Sequence, residues 1–214
     1  IQLDQNLPSG DYNFILHTDC ASVSKQYNVI ACDNNVDMQN AQWYFDSYVT
    51  LDFRNGIADL GGYSAMNANS SESGICNEYG DILFYTDGDK IWNSNHEIIN
   101  ELNQSIEDIV YRGTIALKFD NNHYAVVTLC NNGHLYSRLL DGQGNMISTL
   151  VSEYSGTLFF SGLTAIPCTT GGFWLVSVKE TNVGFNIVSL KITLNGTSFS
   201  YELGDVSPTA YIFD

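Results

Sequence analysis

The chain has 214 residues, 44% of them hydrophobic and only 15% charged, a composition that excludes a disordered chain. Its 24 acidic residues against 8 basic ones give a formal charge of −16. This charge disfavours nucleic acids and anionic lipids as partners, because both are bound through Lys and Arg. The sequence also contains no apolar run of about 18 residues, the length that a membrane-spanning helix needs.

The residue types favour β-strands over helices. Glycine outnumbers proline by 18 to 3, which is typical of a chain with many turns. The 13 Tyr, 11 Phe and 3 Trp suit strands, where aromatic side chains pack well. We therefore expect an all-β protein.

The first half of the chain contains short strand-like runs that end in Asn, Asp or Gly. They are rich in aromatic and β-branched residues and cover Tyr12–Thr18, Tyr27–Cys32, Ala41–Phe53 and Asp81–Tyr85. One segment differs, because Ser94–Glu97 has the pattern of a helix capping box and the apolar residues up to Val110 approximate a helical stripe. We expect a short helix there.

From Thr114 onward the strand pattern becomes regular. Four strands joined by tight Asn and Gly turns are predicted at Thr114–Asp120, His123–Cys130, His134–Asp141 and Met146–Ser152. The unit then recurs at Thr164–Cys168, Phe173–Lys179, Phe185–Leu194 and Thr197–Leu203. An earlier, less regular copy lies at Asp81–Trp92. Each unit reads as an antiparallel meander.

Four-stranded units that repeat every ~40 to 50 residues are typical of a β-propeller with WD-repeat-like blades. We assign residues 41–214 to propeller blades and residues 1–40 to amino-terminal strands that are a candidate first blade. The blades are few for a closed ring, so we expect further chain to complete it. A β-sandwich built from the same meanders is the alternative fold.

Asp87, Asp89, Asn93 and Asn95 place oxygen ligands at alternating positions and form a candidate calcium site. The alternative is a hairpin turn in which Asp and Asn bond to the local backbone. The tryptophans Trp43, Trp92 and Trp174 are candidates either for stacking on a ligand or for packing between blades. No other cofactor is expected.

The five cysteines lack the paired spacing of a zinc site. Cys20 and Cys32 lie close enough in sequence to form a disulfide, although the residues do not decide this. The odd count leaves at least one free thiol, which we expect to be buried. The four histidines are scattered, and no nucleophile or acid pair stands out, so we expect no enzyme.

Several strings resemble the propeller region of large Bacteroidetes surface proteins associated with gliding motility and type IX secretion. The resemblance runs from about Trp43 to Pro208 and is carried by Ala41–Phe45, Leu51–Phe53, Gly80–Gly88, Ile91–Asn93, Leu163–Ile166 and Gly172–Val176. The chain departs from that pattern at Asp46–Val49 and at Ile98–Tyr111, and the first 40 residues match nothing in it. The resemblance implies secretion and display on the cell surface, and it implies no active site.

Together these features predict a non-catalytic, extracellular cell-surface module for adhesion, protein–protein binding or assembly of an envelope or filament. Its expected partners are other cell-surface or envelope proteins, with glycans as further candidates. The alternatives are a lectin-like, calcium-dependent glycan-binding domain and a carbohydrate-active enzyme on a propeller scaffold. Because the chain starts at Ile1 without an initiating Met, we expect a removed signal peptide or an excerpt of a longer protein.

Overall fold

The computed structural model describes residues 10–17, 22–29, 38–45, 48–67, 71–103, 108–148, 152–155, 161–181, 184–204 and 210–211. The chain divides into two compact units, Ile1–Asp37 and Met38–Asp214. Within the described residues the regular structure is β-strand, apart from a short 3-10 turn at Met38–Asn40. The prediction of an all-β protein is confirmed. None of the described ranges forms a helix that is long and apolar enough to cross a membrane.

The first unit contains an antiparallel hairpin. Its strands are β1 (Gly10–His17) and β2 (Ser22–Val29), with Tyr12 opposite Tyr27. The second predicted strand, Tyr27–Cys32, overlaps only the end of β2. The difference arises because the hairpin begins its return at Ser22, in a polar stretch that the sequence pattern does not mark as a strand.

The second unit begins with a three-stranded and a four-stranded antiparallel sheet. The first sheet consists of β3 (Gln42–Tyr44), β4 (Thr50–Asp52) and β5 (Asp59–Leu60). The second sheet consists of β6 (Ser73–Cys76), β7 (Ile82–Thr86), β8 (Lys90–Asn93) and β9 (Ile98–Glu101). The predicted run Ala41–Phe53 is therefore two short strands with a turn between them.

The helix expected after Ser94 is wrong for the described residues. The side-chain Oδ1 of Asn93 accepts hydrogen bonds from the backbone N–H groups of Asn95 (2.9 Å) and Glu97 (3.0 Å), which closes a turn between β8 and β9. His96 in that turn has a φ of 64°. This left-handed backbone conformation is incompatible with the start of a helix, so the chain continues as a strand.

The third and fourth sheets confirm the predicted meanders. The third consists of β10 (Ile109–Lys118), β11 (His123–Cys130), β12 (Leu135–Asp141) and β13 (Ser152–Tyr154). The fourth consists of β14 (Ser161–Pro167), β15 (Phe173–Thr181), β16 (Gly184–Asn195) and β17 (Ser198–Leu203), and β18 (Ala210–Tyr211) also pairs with β16. The strand predicted at Met146–Ser152 is displaced to β13. Met146 makes only an isolated bridge to Leu140.

The sheets of the second unit pack on one another in chain order, through three apolar layers. The first layer joins the first and second sheets and contains Tyr44, Cys76, Ile82, Tyr85 and Trp92. The second joins the second and third sheets and contains Ile75, Phe84, Ile91, Tyr124, Val126 and Leu140. The third joins the third and fourth sheets and contains Leu117, Ala125, Val127, Leu175, Leu190 and Ile192.

The alternation along β11 shows how one sheet serves two layers. Tyr124 and Val126 belong to the layer shared with the second sheet, whereas Ala125 and Val127 belong to the layer shared with the fourth. Successive side chains of a strand point to opposite faces, so the mostly apolar β11 buries both of its faces. The first strands of neighbouring sheets also contact each other, β3 with β6, β6 with β10 and β10 with β14.

Candidate functional site

A cavity of about 470 Å³ lies where the first strands of the four sheets in the second unit meet. We call it the first-strand cavity. Each sheet contributes lining residues, which are Asn40, Gln42–Phe45, Glu72–Gly74, Tyr111, Arg112, Thr114 and Leu163. The cavity therefore depends on the order in which the sheets stack, because residues more than 100 positions apart share its wall.

The cavity contains two residues of opposite charge, Glu72 and Arg112. The Oε2 atom of Glu72 is buried and has no hydrogen-bond partner within the described residues. Arg112 has a φ of 55°, and its guanidinium carbon lies 5.3 Å from the centre of the Tyr111 ring. The ion pairs found in the described part of the chain do not join these two residues. Glu72 and Arg112 therefore line one cavity without an ion pair between them.

Trp43 lies at the wall of this cavity and keeps 49% of its surface exposed. Its indole Nε1 donates a hydrogen bond to the carbonyl oxygen of Asn40 (2.9 Å), and its ring centre lies 5.0 Å from that of Phe53. These contacts hold the ring in place while leaving part of it accessible. Of the three tryptophans considered either for stacking on a ligand or for packing, Trp43 lines the cavity.

Trp92 has a different environment, because only 5% of it is exposed. Its ring stacks on Tyr85 (5.4 Å between ring centres, 9° between planes), and Tyr85 stacks in turn on Tyr44 (4.3 Å, 20°). This aromatic column is the centre of the layer between the first and second sheets. Trp92 is a packing residue, and it offers no free face to a ligand.

Trp174 lies on β15 and is half-buried. Its neighbour Leu175 belongs to the apolar layer between the third and fourth sheets. Because side chains alternate along a strand, Trp174 points to the other face of the fourth sheet, where Lys191 and Ile166 are its cross-strand neighbours. It takes no part in the layers described above or in the first-strand cavity.

The predicted calcium ligands fall into two separate turns. Asp87 and Asp89 lie in the turn between β7 and β8, whereas Asn93 and Asn95 lie at the turn between β8 and β9. These turns are at opposite ends of β8, about 10 Å apart at the rise of an extended strand. One calcium ion holds its oxygens at about 2.3 to 2.6 Å, so the four residues are not brought together. Among the described positions, no three His, Cys, Asp or Glu side chains are grouped so that they could hold a metal ion.

Asp87 fits the alternative prediction, a hairpin turn in which its side chain bonds to the local backbone. Its Oδ1 accepts hydrogen bonds from the backbone N–H groups of Asp89 (3.0 Å) and Lys90 (2.7 Å). Burial of this carboxyl group raises its pKa above the usual value for Asp. Asp87 therefore uses its Oδ1 to close the turn between β7 and β8.

A buried arginine of the third sheet holds the same turn. Arg138 on β12 is fully buried and donates hydrogen bonds to the carbonyl oxygens of Gly88 (2.7 Å) and Asp89 (2.6 Å). Loss of water lowers the pKa of Arg138 to about 10, although the neighbouring Asp89 and Asp87 partly oppose the shift. At neutral pH the group remains a cation, and a second cation at this turn would be repelled.

A second exposed feature, which the sequence interpretation missed, is formed by Tyr48, Tyr63 and His96. We call it the tyrosine–histidine patch. The rings of Tyr48 and Tyr63 stack (5.6 Å, 11°), and the His96 ring meets Tyr63 edge-on (6.0 Å, 81°). Tyr48 is 46% and Tyr63 is 61% exposed.

A hydrogen bond to Tyr85 holds the histidine of the patch in place. The Tyr85 hydroxyl lies 2.8 Å from His96 Nδ1 and accepts a hydrogen bond from the backbone N–H of Ala65 (3.0 Å). Burial raises the pKa of Tyr85, which keeps its hydroxyl protonated. The sequence showed His96 only as an isolated histidine, since its partners come from the two other segments that carry Tyr63–Ala65 and Tyr85.

The cysteines of the described ranges are thiols. Cys76 and Cys130 are buried, as expected for free thiols in this chain, and burial raises the pKa of each to about 11. Cys168 is half-buried, and a hydrogen bond from Thr170 lowers its pKa. Cys20 and Cys32, the pair considered for a disulfide, lie outside the described residues.

Comparison of the chain with protein-family models, with curated proteins and with solved structures gave no match. Its function therefore has to be inferred from its residues and their geometry.

Proposed function

We propose that this chain is a non-catalytic binding module of the β-propeller type, displayed outside the cell, which acts in adhesion or assembly by holding a segment of a partner protein. Two features of the second unit support a propeller. Its antiparallel meanders pack face to face in chain order, and the first strand of each meander contacts the first strand of the next. Blades of a propeller are arranged in this way around a central channel.

The observation that carries the binding role is the first-strand cavity. It combines an exposed ring, that of Trp43, with a carboxylate and a guanidinium that do not pair with each other. Concave sites with a few convergent polar groups are the usual place for ligands. A peptide that carries both a basic and an acidic side chain would pair with Glu72 and Arg112 together.

A peptide array tests this function. The labelled chain is applied to short peptides that are neutral, basic, acidic or of mixed charge, and we expect retention on the mixed-charge set. Glu72→Gln and Arg112→Asn should each weaken retention at least tenfold; Asn is chosen because it tolerates the positive φ of position 112. Glu78→Gln, at an exposed turn position, is the matched control and should bind as the wild type does. Equal binding to all peptide classes, or equal loss in the control, would argue against the cavity.

The propeller architecture has its own test. Electron microscopy of the natural protein should show four-stranded sheets arranged radially about one axis. Two sheets stacked as a closed sandwich would contradict the proposal.

Antibodies against the chain should label intact cells of its source if the module is displayed at the surface.

Two experiments distinguish the calcium-dependent lectin and the enzyme from this proposal. A glycan array with and without EDTA tests for the lectin, since retention that EDTA abolishes requires a bound cation. Polysaccharide turnover by the purified chain would identify the second. We expect EDTA to have no effect, because Asp87 and Asn93 already use their side-chain oxygens within their own turns.

A further inference from the structure

We propose that the tyrosine–histidine patch is a binding site for the pyranose rings of a neutral glycan. This goes beyond the proposed function, because Tyr48, Tyr63 and His96 are not among the residues that line the first-strand cavity. The observations that carry it are the exposed parallel rings, a histidine ring whose position is fixed by hydrogen bonds, and the rigidity of the patch.

The first observation is the stacked pair. The ring planes of Tyr48 and Tyr63 are within 11° of parallel, and both rings are about half exposed. An aromatic face is rich in π electrons, and one face of a pyranose ring presents C–H groups that carry partial positive charge. The ring surface that this stack leaves exposed to solvent therefore suits a sugar ring better than it suits a flexible aliphatic chain.

The second observation is a pair of hydrogen bonds that fixes the position of the His96 ring. The Tyr85 hydroxyl accepts the N–H of Ala65 and lies 2.8 Å from His96 Nδ1. With Nδ1 engaged by Tyr85, Nε2 is the ring nitrogen that can form a hydrogen bond with a sugar hydroxyl, either as donor or as acceptor.

The third observation is that the patch is rigid before any ligand arrives. Tyr85, which orients His96, is held between the rings of Tyr44 and Trp92. Tyr48 and His96 both have left-handed backbone angles, with φ of 65° and 64°. Bulky residues keep this conformation only where the surroundings enforce it, and such positions concentrate at functional sites. Little conformational freedom remains to be lost on binding.

Charge indicates the class of glycan. The three patch residues carry neither a carboxylate nor a Lys or Arg side chain, and the nearest acidic neighbour in the sequence, Glu97, bonds to the Asn93 amide (3.0 Å). A chain with a formal charge of −16 also repels uronic acids and sulfated sugars. We therefore assign a neutral glycan to the site.

Affinity gel electrophoresis tests the assignment, with native gels that contain soluble glucan, xylan, mannan or galactan. We expect at least one of these polysaccharides to retard the wild-type chain. Tyr63→Ala should reduce the retardation at least tenfold, whereas Tyr63→Phe, which keeps the ring face, should retain most of it. Tyr79→Ala removes a tyrosine that is 72% exposed in the turn between β6 and β7, and it should bind as the wild type does.

Three results would overturn the proposal. The first is no retardation by any of the four neutral polysaccharides, and the second is retardation that Tyr63→Ala leaves unchanged or that Tyr79→Ala removes equally. The third is retention of a proline-rich peptide through Tyr48 and Tyr63 with no response to sugar. Circular dichroism shows whether each variant is folded. If Tyr63→Ala is not folded, the comparison of Tyr63→Phe with the wild type decides whether the ring face is sufficient for binding. Failure of the peptide array with the cavity variants leaves this site unaffected, so the two proposals fail independently.

Discussion

Arg138 of the third sheet donates a 2.7 Å hydrogen bond to the carbonyl oxygen of Gly88, in a turn of the second sheet. The same oxygen accepts a hydrogen bond from the Thr128 hydroxyl (2.9 Å). A fully buried guanidinium thus satisfies the backbone of a neighbouring meander. This contact makes the turn at Asp87–Asp89 part of the packing between sheets.

We therefore expect Arg138→Ala to destabilise the chain by about 3 to 5 kcal/mol, because buried carbonyl oxygens would lose their donor. Arg54→Ala is the matched control. Arg54 pairs with Asp52 and Asp81 at the surface, and such pairs contribute less than about 1 kcal/mol. The free energy of unfolding from urea titrations measures both. Similar losses for the two variants would show that Arg138 is not critical for the packing of the turn.

Gly171 and Gly172 allow a sharper comparison, because both have positive φ (90° and 79°) but different surroundings. A Cβ at Gly171 would meet open space, whereas a Cβ at Gly172 would clash with the Ile192 carbonyl oxygen and lie 2.9 Å from the Thr193 Cγ2. We expect Gly171→Ala to cost about 1 kcal/mol from backbone strain alone. Gly172→Ala should cost at least ~2 kcal/mol more, measured in the same denaturation assay, and equal costs would contradict the close approach of β16.

Replacement of Trp92 and of Trp43 should reduce the stability of the chain by different amounts. Trp92→Ala removes a buried ring from the aromatic column and should cost about 3 to 5 kcal/mol. Trp43→Ala removes a ring that is half exposed, and we expect a loss below about 2 kcal/mol. Thermal or chemical denaturation checks the order of the two. The reverse order would mean that the layer between the first and second sheets is not the one described.

Tyr201 predicts a dependence on alkaline pH. Burial raises the pKa of Tyr201 to about 12, from 10.0 in the unfolded chain. Between these values the unfolded state binds fewer protons than the folded state, so the free energy of unfolding falls as the pH rises. The loss from this residue is on the order of 2 kcal/mol by pH 12.

Tyr201→Phe isolates this effect, because it removes the ionisable hydroxyl, which approaches the Ser137 side chain, and keeps the buried ring. Urea titrations at pH 7, 10 and 11 should show a shallower decline for the variant than for the wild type. Parallel declines would mean that Tyr201 is exposed. Tyr44, whose pKa burial also raises to about 12, supplies part of the slope that remains.

The meanders could be predicted because their strands and turns are both local features. The run His123–Cys130 is mostly apolar and bounded by Asn-rich turns, and β11 has these same bounds. The strand expected at Met146–Ser152 was misplaced. Met146 makes only an isolated bridge to Leu140, and the regular pairing with β12 is made by Ser152–Tyr154. The helix after Ser94 was wrong because one side chain, that of Asn93, closes the turn.

The candidate sites were largely hidden from the sequence. Glu72 and Arg112 line the same cavity because the first strands of successive sheets are neighbours. The single sequence signal for this proximity is that the two residues are about one repeat apart. Tyr48 and Tyr63 are ordinary surface residues by type, and their stacking depends on how the first sheet turns. Trp43 could be selected by residue type, but its exposure, and the burial of Trp92, required the packing of the sheets.

Because each layer of the second unit is shared only by sheets that follow one another in sequence, cohesion between meanders is a nearest-neighbour property. The second and third sheets, which are each packed on both faces, should exchange their amide hydrogens most slowly, and the first and fourth meanders should open first. Evolution could then lengthen or shorten such an array by whole units without redesigning its interior.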